Sequence, residues 1–416
     1  MARKKNETPN EQTSTALEEL VTPTEGISEA QTSEAEVKPS KPKKERVTVL
    51  KKEINLVIDA GRSRIKFQAF SDGEPSTPVM TLDSLVCQVS SLPFGELGAF
   101  SMSRGKDENN KDIVESWVVG NSARFQQKQY IAMSEGENHK IDYFPVLVLG
   151  AIASLPNLYD LSTGANPKNR TLTLRLSTLS LASPLTLRAA IEQCKWISVD
   201  GIKYKLSFGK AGFLGYPEGY GASLYTQSKL SGLSNTAFYT FDIGFGTATL
   251  TEYSNLGKLP KRGLCSPNGG GGVATLIREF SEQISNSDSA RLIRPSQLRE
   301  ILETSTIEDG RVIAIAPDGR EIGDALEVAI KAWIKDSPLT YGLEKLGTSG
   351  RRHPVTLCGG GFAIPPVRDM ITTELLKAGI PENNLLIPDQ PGTVALSEMK
   401  RLYTRGIDND SEQQAA

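Results

Sequence analysis

The sequence predicts an α/β protein built from two related lobes, and three observations support this prediction. The chain has 416 residues, more than one ordinary core organises, and 38% of them are hydrophobic, which is enough for two cores. Segments with strand and helix patterns alternate along the chain. A strand, turn and strand pattern with an acidic, glycine-bearing turn occurs twice, at 54–70 and at 239–253.

The first copy of this pattern predicts a β-hairpin with an acid at its tip. A branched apolar run over 56–58 is typical of a buried strand, and Asp59 and Gly61 supply turn chemistry. Apolar residues then alternate with polar ones over 65–69, which predicts the returning strand. In the second copy, Asp242 matches Asp59 and Gly244 matches Gly61. Each lobe is therefore expected to present one such hairpin.

The two ends of the chain are predicted to lie outside the fold. Residues 1–50 are rich in Glu, Thr, Ser, Pro and Lys and almost free of aromatic residues, which predicts a disordered tail. Residues 406–416 are expected to be a frayed C-terminus. The net charge of -2 and the pI near 6.0 provide no general attraction to nucleic acid, so no direct sequence-specific DNA binding is expected.

Composition also excludes several classes of protein. Four scattered cysteines and two histidines argue against a disulfide scaffold, a zinc site and a histidine-dependent triad. The N-terminus is polar from Ala2 onward, which argues against an ordinary signal peptide, and the longest apolar run, 143–155, is too short to span a bilayer. A cytoplasmic location without a transmembrane segment is expected.

Strand and helix signals divide the rest of the chain. The predicted strands cover 76–82, 171–179, 213–217 and 355–358, and a hairpin with an Asp200-Gly201 turn covers 196–208. The predicted helices cover 143–155, 184–194, 273–284, 322–334 and 365–377. This order delivers Glu218 to a junction between a strand and a helix. It also places three consecutive glycines, Gly359, Gly360 and Gly361, directly after a strand.

The paired hairpins favour a phosphate-binding function over a purely structural one. A single Asp-x-Gly turn is usually only a turn, but two facing copies can hold the phosphates of one nucleotide from both sides. Asp59 and Asp242 would then face a magnesium ion, which prefers carboxylates, water and phosphate oxygens. Lys66 is either a phosphate ligand or a solvated strand lysine. The glycine triplet would let the backbone pass close to a flat ligand.

These motifs, in this order, resemble those of the actin, Hsp70 and sugar-kinase superfamily, and most closely the ParM/StbA family of bacterial actin-like proteins. The resemblance covers about 53–405. It implies an actin-like fold with two ribonuclease-H-like lobes around a nucleotide cleft, one formed by 53–220 with the return of 393–405 and the other by 221–392. It also implies that ATP and Mg²⁺ are the cofactors.

The resemblance further assigns a role to each site residue. Glu218 would position the attacking water and, with Asp59 and Asp242, form the catalytic set. The nucleotide-binding residues would be Asp59, Gly61, Arg62, Ser63, Lys66, Gly244, Phe245, Gly246, Thr247, Gly359, Gly360, Gly361 and Phe362. Glu218 has a second interpretation as an acid that stabilises a helix N-terminus.

Three positions depart from the family pattern. Arg62 stands where the family usually has a small hydroxyl residue, and it would either add charge stabilisation or block tight closure. The second hairpin carries Ala248 and Thr249 where a further aspartate often occurs. The final helix has Ala395 or Ser397 in place of its usual glycine, which predicts a stiffer hinge.

The resemblance implies an ATP-hydrolysing filament protein. Its head-to-tail filament would separate plasmid copies through a centromere-binding, DNA-binding adaptor. Three alternatives are a cell-shape filament, a nucleotide-binding scaffold that does not polymerise, and a phosphotransferase of the sugar-kinase type. The phosphotransferase would need an aspartate base near the terminal phosphate, where this sequence has Glu218.

Overall fold

The computed structural model describes residues 52–71, 76–136, 138–230, 236–285 and 293–404, without the side chains of 210, 211, 403 and 404. The predicted tail at 1–50 and the predicted frayed end at 406–416 lie outside these residues. None of the helices in the described ranges has the length and apolar character needed to cross a membrane.

The described strands and helices follow one another in mixed order. The strands are β1 (Glu53–Ala60), β2 (Arg64–Ser71), β3 (Met80–Asp83), β4 (Leu85–Val89), β5 (Ala99–Lys106), β6 (Asp112–Val119), β7 (Ile131–Ala132), β8 (Thr163–Asn166), β9 (Asn169–Leu179), β10 (Trp196–Val199), β11 (Ile202–Tyr216), β12 (Ala237–Ile243), β13 (Thr247–Ser254), β14 (Lys261–Gly269), β15 (Thr306–Glu308), β16 (Arg311–Ile313), β17 (Val355–Cys358) and β18 (Leu385–Leu386). The helices are α1 (His139–Asp142), α2 (Phe144–Ala153), α3 (Leu158–Leu161), α4 (Pro184–Glu192), α5 (Tyr220–Lys229), α6 (Val273–Ser285), α7 (Pro295–Thr304), α8 (Gly323–Asp336), α9 (Leu339–Ser349), α10 (Pro365–Lys377) and α11 (Val394–Thr404).

The strands form two main sheets with the same local arrangement around each predicted hairpin. In the first sheet, β1 pairs antiparallel with β2 and parallel with β9. In the second sheet, β12 pairs antiparallel with β13 and parallel with β17. The first sheet runs β3-β2-β1-β9-β11-β10-β5-β6-β4-β7, and the second runs β14-β13-β12-β17-β18. The internal repeat seen in the sequence is therefore a repeat of strand topology.

Burial on both faces explains the apolar run of β1. Leu56 and Ile58 pack into the core that contains α2, and the intervening Val57 packs into a second cluster with Leu396 and Met399 of α11. A strand that is covered on both faces has no need for polar alternation. A separate core lies under the second sheet, where Phe241 packs with Trp333.

Several element boundaries differ from those that the sequence predicts. The strand expected at 76–82 begins only at Met80. The segment expected as a separate strand at 213–217 is the end of β11, which continues past an irregularity between Phe208 and Phe213 while keeping β9 as its neighbour. The turn at Asp200 and Gly201 is as predicted, and both residues have positive φ angles.

Helices α5 and α11 cross in close contact. A Cβ atom at Gly221 would lie 1.7 Å from the carbonyl oxygen of Ala395, so only glycine fits at this crossing. The glycine that is missing from the final helix is thus compensated by a glycine on the partner helix. The sequence of α11 alone does not show that the glycine of this crossing lies on α5.

Replacing Gly221 by alanine is expected to destabilise the protein. The added methyl group meets backbone and not a flexible side chain, so the helices must separate at a cost of about 1–3 kcal/mol or more. Gly347→Ala is the matched control, because this buried helical glycine has only the Ala378 side chain near, at an ordinary 3.5 Å. Urea unfolding should show a clear loss for Gly221→Ala and no loss for Gly347→Ala. Equal stability of the two variants would contradict the packing argument.

Candidate functional site

The two predicted hairpins face one cavity of about 610 Å³. Pockets that bind small molecules and cofactors typically have volumes in this range. Most of the predicted site residues line the cavity. They are Asp59, Gly61, Arg62, Ser63, Lys66, Glu218, Asp242, Gly244, Phe245, Gly246, Thr247, Gly359 and Gly360. The structure thus brings together residues from four separated parts of the sequence.

The two hairpin turns have the same backbone geometry. The N–H group of Gly61 donates to the carbonyl oxygen of Arg64 at 3.0 Å, and the N–H group of Gly244 donates to that of Thr247 at 2.9 Å. A Cβ atom at Gly61 would lie 2.7 Å from the Arg64 oxygen, so the first turn needs glycine. The matched bond shows that the sequence repeat extends to the conformation of the turns.

Two aspartates lie next to last in the first strands of the hairpins, and both are partly buried. Burial raises the pKa of Asp59, against the opposing charges of Lys66 and Lys140. Burial also raises the pKa of Asp242 to about 7, and the nearby Glu218 carboxylate adds to this shift. Three acidic groups therefore lie close enough to repel one another.

This donor set suits a magnesium ion that is held mainly through water. Among the described residues, no group of three or more histidine, cysteine, aspartate or glutamate side chains is arranged to hold a metal ion. Two carboxylates beside a cavity leave the remaining positions to water and phosphate oxygens, which is how Mg²⁺ is usually bound. A cation would also offset the desolvation that raises both aspartate pKa values.

The two basic side chains of the first hairpin that the sequence assigns to the site, Lys66 and Arg62, contact residues from other parts of the cavity wall. Lys66 donates from Nζ to the carbonyl oxygen of Gly392 at 2.7 Å, so it is not a freely solvated strand lysine. The side chain of Arg62 lies against Gly246 of the second hairpin, because a Cβ atom there would be 3.2 Å from both Cδ and Nη1 of Arg62. Arg62 therefore spans the two hairpins.

Glu218 lies in the turn between β11 and α5 and is paired with Lys140. The Nζ atom of Lys140 is 2.7 Å from Oε1 of Glu218. The next residue, Gly219, has a φ of 80° and packs against Thr240 and Asp242 of β12. The sequence does not identify Lys140 as a site residue, because it lies in a short polar stretch before the apolar helix and belongs to no motif. No spacing rule connects it to a residue 78 positions away.

The glycine triplet divides between the cavity and the core. Gly359 has a φ of 95°, and a Cβ atom there would lie 2.3 Å from Oδ1 of Asp242, so this glycine allows β17 to approach the acid. Gly360 also lines the cavity. Gly361 packs against Ile243, and Phe362 is fully buried with its ring 6.1 Å from that of Phe241. Gly361 and Phe362 are not among the residues that line the cavity.

A charged network that the sequence did not predict lies along one side of the cavity. Arg64 donates from Nη2 to Oε2 of Glu303 at 2.5 Å, and Arg299 donates from Nη2 to Oδ1 of Asp83 at 3.5 Å. Arg64 begins β2, whereas Arg299 and Glu303 lie on α7, which packs in the second core through Leu298 and Leu302. The network therefore joins the first hairpin to the second core.

No protein-family model and no curated protein sequence matches the amino-acid sequence of this chain.

Solved structures, in contrast, match over most of the chain. A 15-stranded ParM filament from Clostridium botulinum has a TM-score of 0.57 at 15% identity, covering 85% of this chain and 99% of that one. An archaeal actin homologue has a TM-score of 0.57 at 14% identity, covering 85% and 100%. Bacillus thuringiensis ParM with ATP has a TM-score of 0.54 at 11% identity, covering 84% and 99%. At these identities the similarity concerns the fold, and it confirms the predicted one: this chain has the actin-like fold found in ParM proteins and in the archaeal actin homologue.

Proposed function

We propose that this protein binds ATP with Mg²⁺ between its two hairpins, hydrolyses it, and uses it to control assembly into a filament. The observation that carries the proposal is the convergence of two identically closed acidic turns on one cavity. Backbone N–H groups in such turns form concavities for anions, and two of them can hold one phosphate chain. Bacillus thuringiensis ParM, which shares the fold, has a structure with ATP.

Each residue would contribute one part of the chemistry. The turns around Gly61 and Gly244 would bind the phosphates, and Arg62 and Lys66 would add positive charge to the same chain. Asp59 and Asp242 would hold the Mg²⁺ ion, which neutralises phosphate charge. Glu218 would orient the attacking water and accept its proton.

Filament formation would follow from closure of the two lobes, proposed as 53–220 with 393–405 and as 221–392. ATP favours closure only through contacts made in the closed state, which here means simultaneous binding by both hairpins. A head-to-tail contact that does not close into a ring extends without limit. The solved structure of the ParM of Clostridium botulinum, which shares the fold, is a 15-stranded filament. We propose that a filament of this chain separates plasmid copies in the cytoplasm through a DNA-binding adaptor.

Replacing either hairpin aspartate is expected to weaken magnesium-dependent ATP binding. Asp59→Asn or Asp242→Asn should raise the Kd for ATP roughly tenfold or more in Mg²⁺, because one carboxylate alone cannot orient the water shell of the ion. Titration calorimetry with and without Mg²⁺ measures this change. Asp369→Asn, an exposed acid on α10, is the control and should bind as wild type. Wild-type affinity in both hairpin variants would refute the site.

Replacing Glu218 is expected to slow ATP hydrolysis without preventing ATP binding. Glu218→Gln should still bind ATP but release phosphate about a hundredfold more slowly or worse, the scale of losing one general base. A phosphate-release assay without any added acceptor measures this loss, and it also tests the phosphotransferase alternative, which requires an acceptor. If Glu218→Gln hydrolysed ATP at the wild-type rate, the acid would have only a structural role.

ATP is expected to drive the wild-type protein into filaments above a critical concentration. Light scattering and electron microscopy should show polymers with ATP and disassembly after hydrolysis, because closure disappears when the terminal phosphate is lost. Asp242→Asn, with weakened binding, should need more ATP to assemble. A protein that binds ATP but stays monomeric well above micromolar concentration at modest salt would instead be the non-polymerising scaffold.

A further inference from the structure

The ion pair between Lys140 and Glu218 is withdrawn from solvent. The Lys140 side chain is 17% exposed and the Glu218 side chain 22%, and their charged atoms are 2.7 Å apart. A pair in this environment is screened much less than a surface pair, so its geometry is held more firmly. The described contacts of Glu218 thus include one fixed cation on Oε1.

The position of Lys140 is set by the core of the first sheet. Lys140 belongs to α1, whose first residue, His139, accepts a backbone bond from Tyr143 at 2.9 Å at the start of α2. All ten residues of α2 are buried, so this helix cannot shift without opening the core. The ring of His139 also lies within hydrogen-bond distance of the Ala132 carbonyl, at 3.2 Å from Nδ1. Lys140 is therefore carried to the cavity by a short helix that is hydrogen-bonded to the start of the buried helix α2.

The charge of Lys140 is well placed to act through Glu218. Burial alone would lower the pKa of Lys140, but the carboxylates of Glu218 and Asp59 raise it above its ordinary value, so the side chain stays protonated. Its positive charge offsets the repulsion between Glu218 and the two aspartates. Because the bond from Lys140 engages Oε1, Oε2 keeps both of its lone pairs for hydrogen bonds from water.

We propose that Lys140 is a positioning residue for the proposed ATP hydrolysis, which orients Glu218 so that one carboxylate oxygen faces the attacking water. This inference rests on the proposed function and extends it to a residue outside the glycine and aspartate motifs. Lys140 itself makes no bond to the reacting atoms in this role. Its loss should therefore slow the chemical step while leaving ATP affinity unchanged.

The test uses the full-length protein with four variants: Lys140→Met, Lys140→Arg, Glu218→Gln and the double variant Lys140→Met/Glu218→Gln. Methionine keeps the apolar stem of the lysine, and arginine keeps the charge. Single-turnover phosphate release and ATP affinity are measured for each variant, and thermal unfolding confirms that each one folds. Lys345→Ala is the control, because that lysine also makes a part-buried bond, at 3.0 Å to Ser266, but does not line the cavity.

The expected rates and affinities distinguish a positioning role of Lys140 from a purely structural one. Lys140→Met should slow phosphate release roughly tenfold to a hundredfold with unchanged ATP affinity, as is typical when a group that orients a functional side chain is lost. Lys140→Arg should recover part of the rate. The double variant should be no slower than Glu218→Gln alone, since the lysine acts only through the glutamate.

Three results would overturn this inference, and each is distinct from failure of the proposed function. They are a wild-type rate in Lys140→Met beside a slow Glu218→Gln, additive losses in the double variant, and a loss of ATP affinity that accounts for the whole effect of Lys140→Met. The last result would make Lys140 a phosphate ligand. A wild-type protein that releases no phosphate would instead contradict the proposed function itself.

Discussion

The cavity is organised by the balance of opposite charges on side chains that are partly buried. Asp59, Asp242 and Glu218 converge there, and burial together with the Glu218 charge raises the pKa of both aspartates. The first hairpin brings Lys66 and Arg62 to the same place, and α1 brings Lys140. This arrangement persists because every cation is held by a structural contact and not by charge alone. Lys66 donates a hydrogen bond to Gly392, and the Arg62 side chain contacts Gly246. Lys140 belongs to α1, which is hydrogen-bonded to the start of α2.

The supports of this charge cluster come from both sheets. Asp59 and Asp242 lie near the ends of strands that are buried on both faces, so the backbone that carries each carboxyl group is fixed by the packing around it. Gly359 allows β17 to approach Asp242, and Gly61 allows the first turn to close. The glycines therefore allow close approaches, between backbone and acid at Gly359 and between backbone atoms within the turn at Gly61. In the proposed function, the same close approaches leave room for a phosphate chain.

Two contacts beside the cavity would influence how it opens and closes. Helices α5 and α11 cross at Gly221, where the backbones meet too closely for a side chain, and Glu218 and Ala395 of α11 line the same cavity. On the other side, Arg64 and Glu303 bridge β2 and α7. The crossing is a packing constraint that salt does not affect, whereas the bridge is about 40% exposed at Arg64 and weakens as ionic strength rises. The two sides of the cavity therefore respond differently to solution conditions.

The sequence by itself determined the parts of the protein that depend on local chemistry. The two hairpins follow from apolar runs and from Asp and Gly at their turns, and the helices at Pro184 and Pro365 begin with a proline, which favours the first helical position. Because the hairpin occurs twice, the sequence also predicted that two acids would face one cavity. Most predicted site residues do line it.

Only the tertiary structure decided the contacts between distant segments. Lys140 and Glu218 are 78 residues apart and Arg64 and Glu303 are 239 apart, so no periodicity or spacing relates them. Phe362 follows the glycines in sequence but turns into the core beside Phe241, because a large ring gains more from burial than from the edge of a polar cavity. The required glycine of the last helix crossing lies on α5 and not on α11, because close packing constrains the space between two helices and not the sequence of either one.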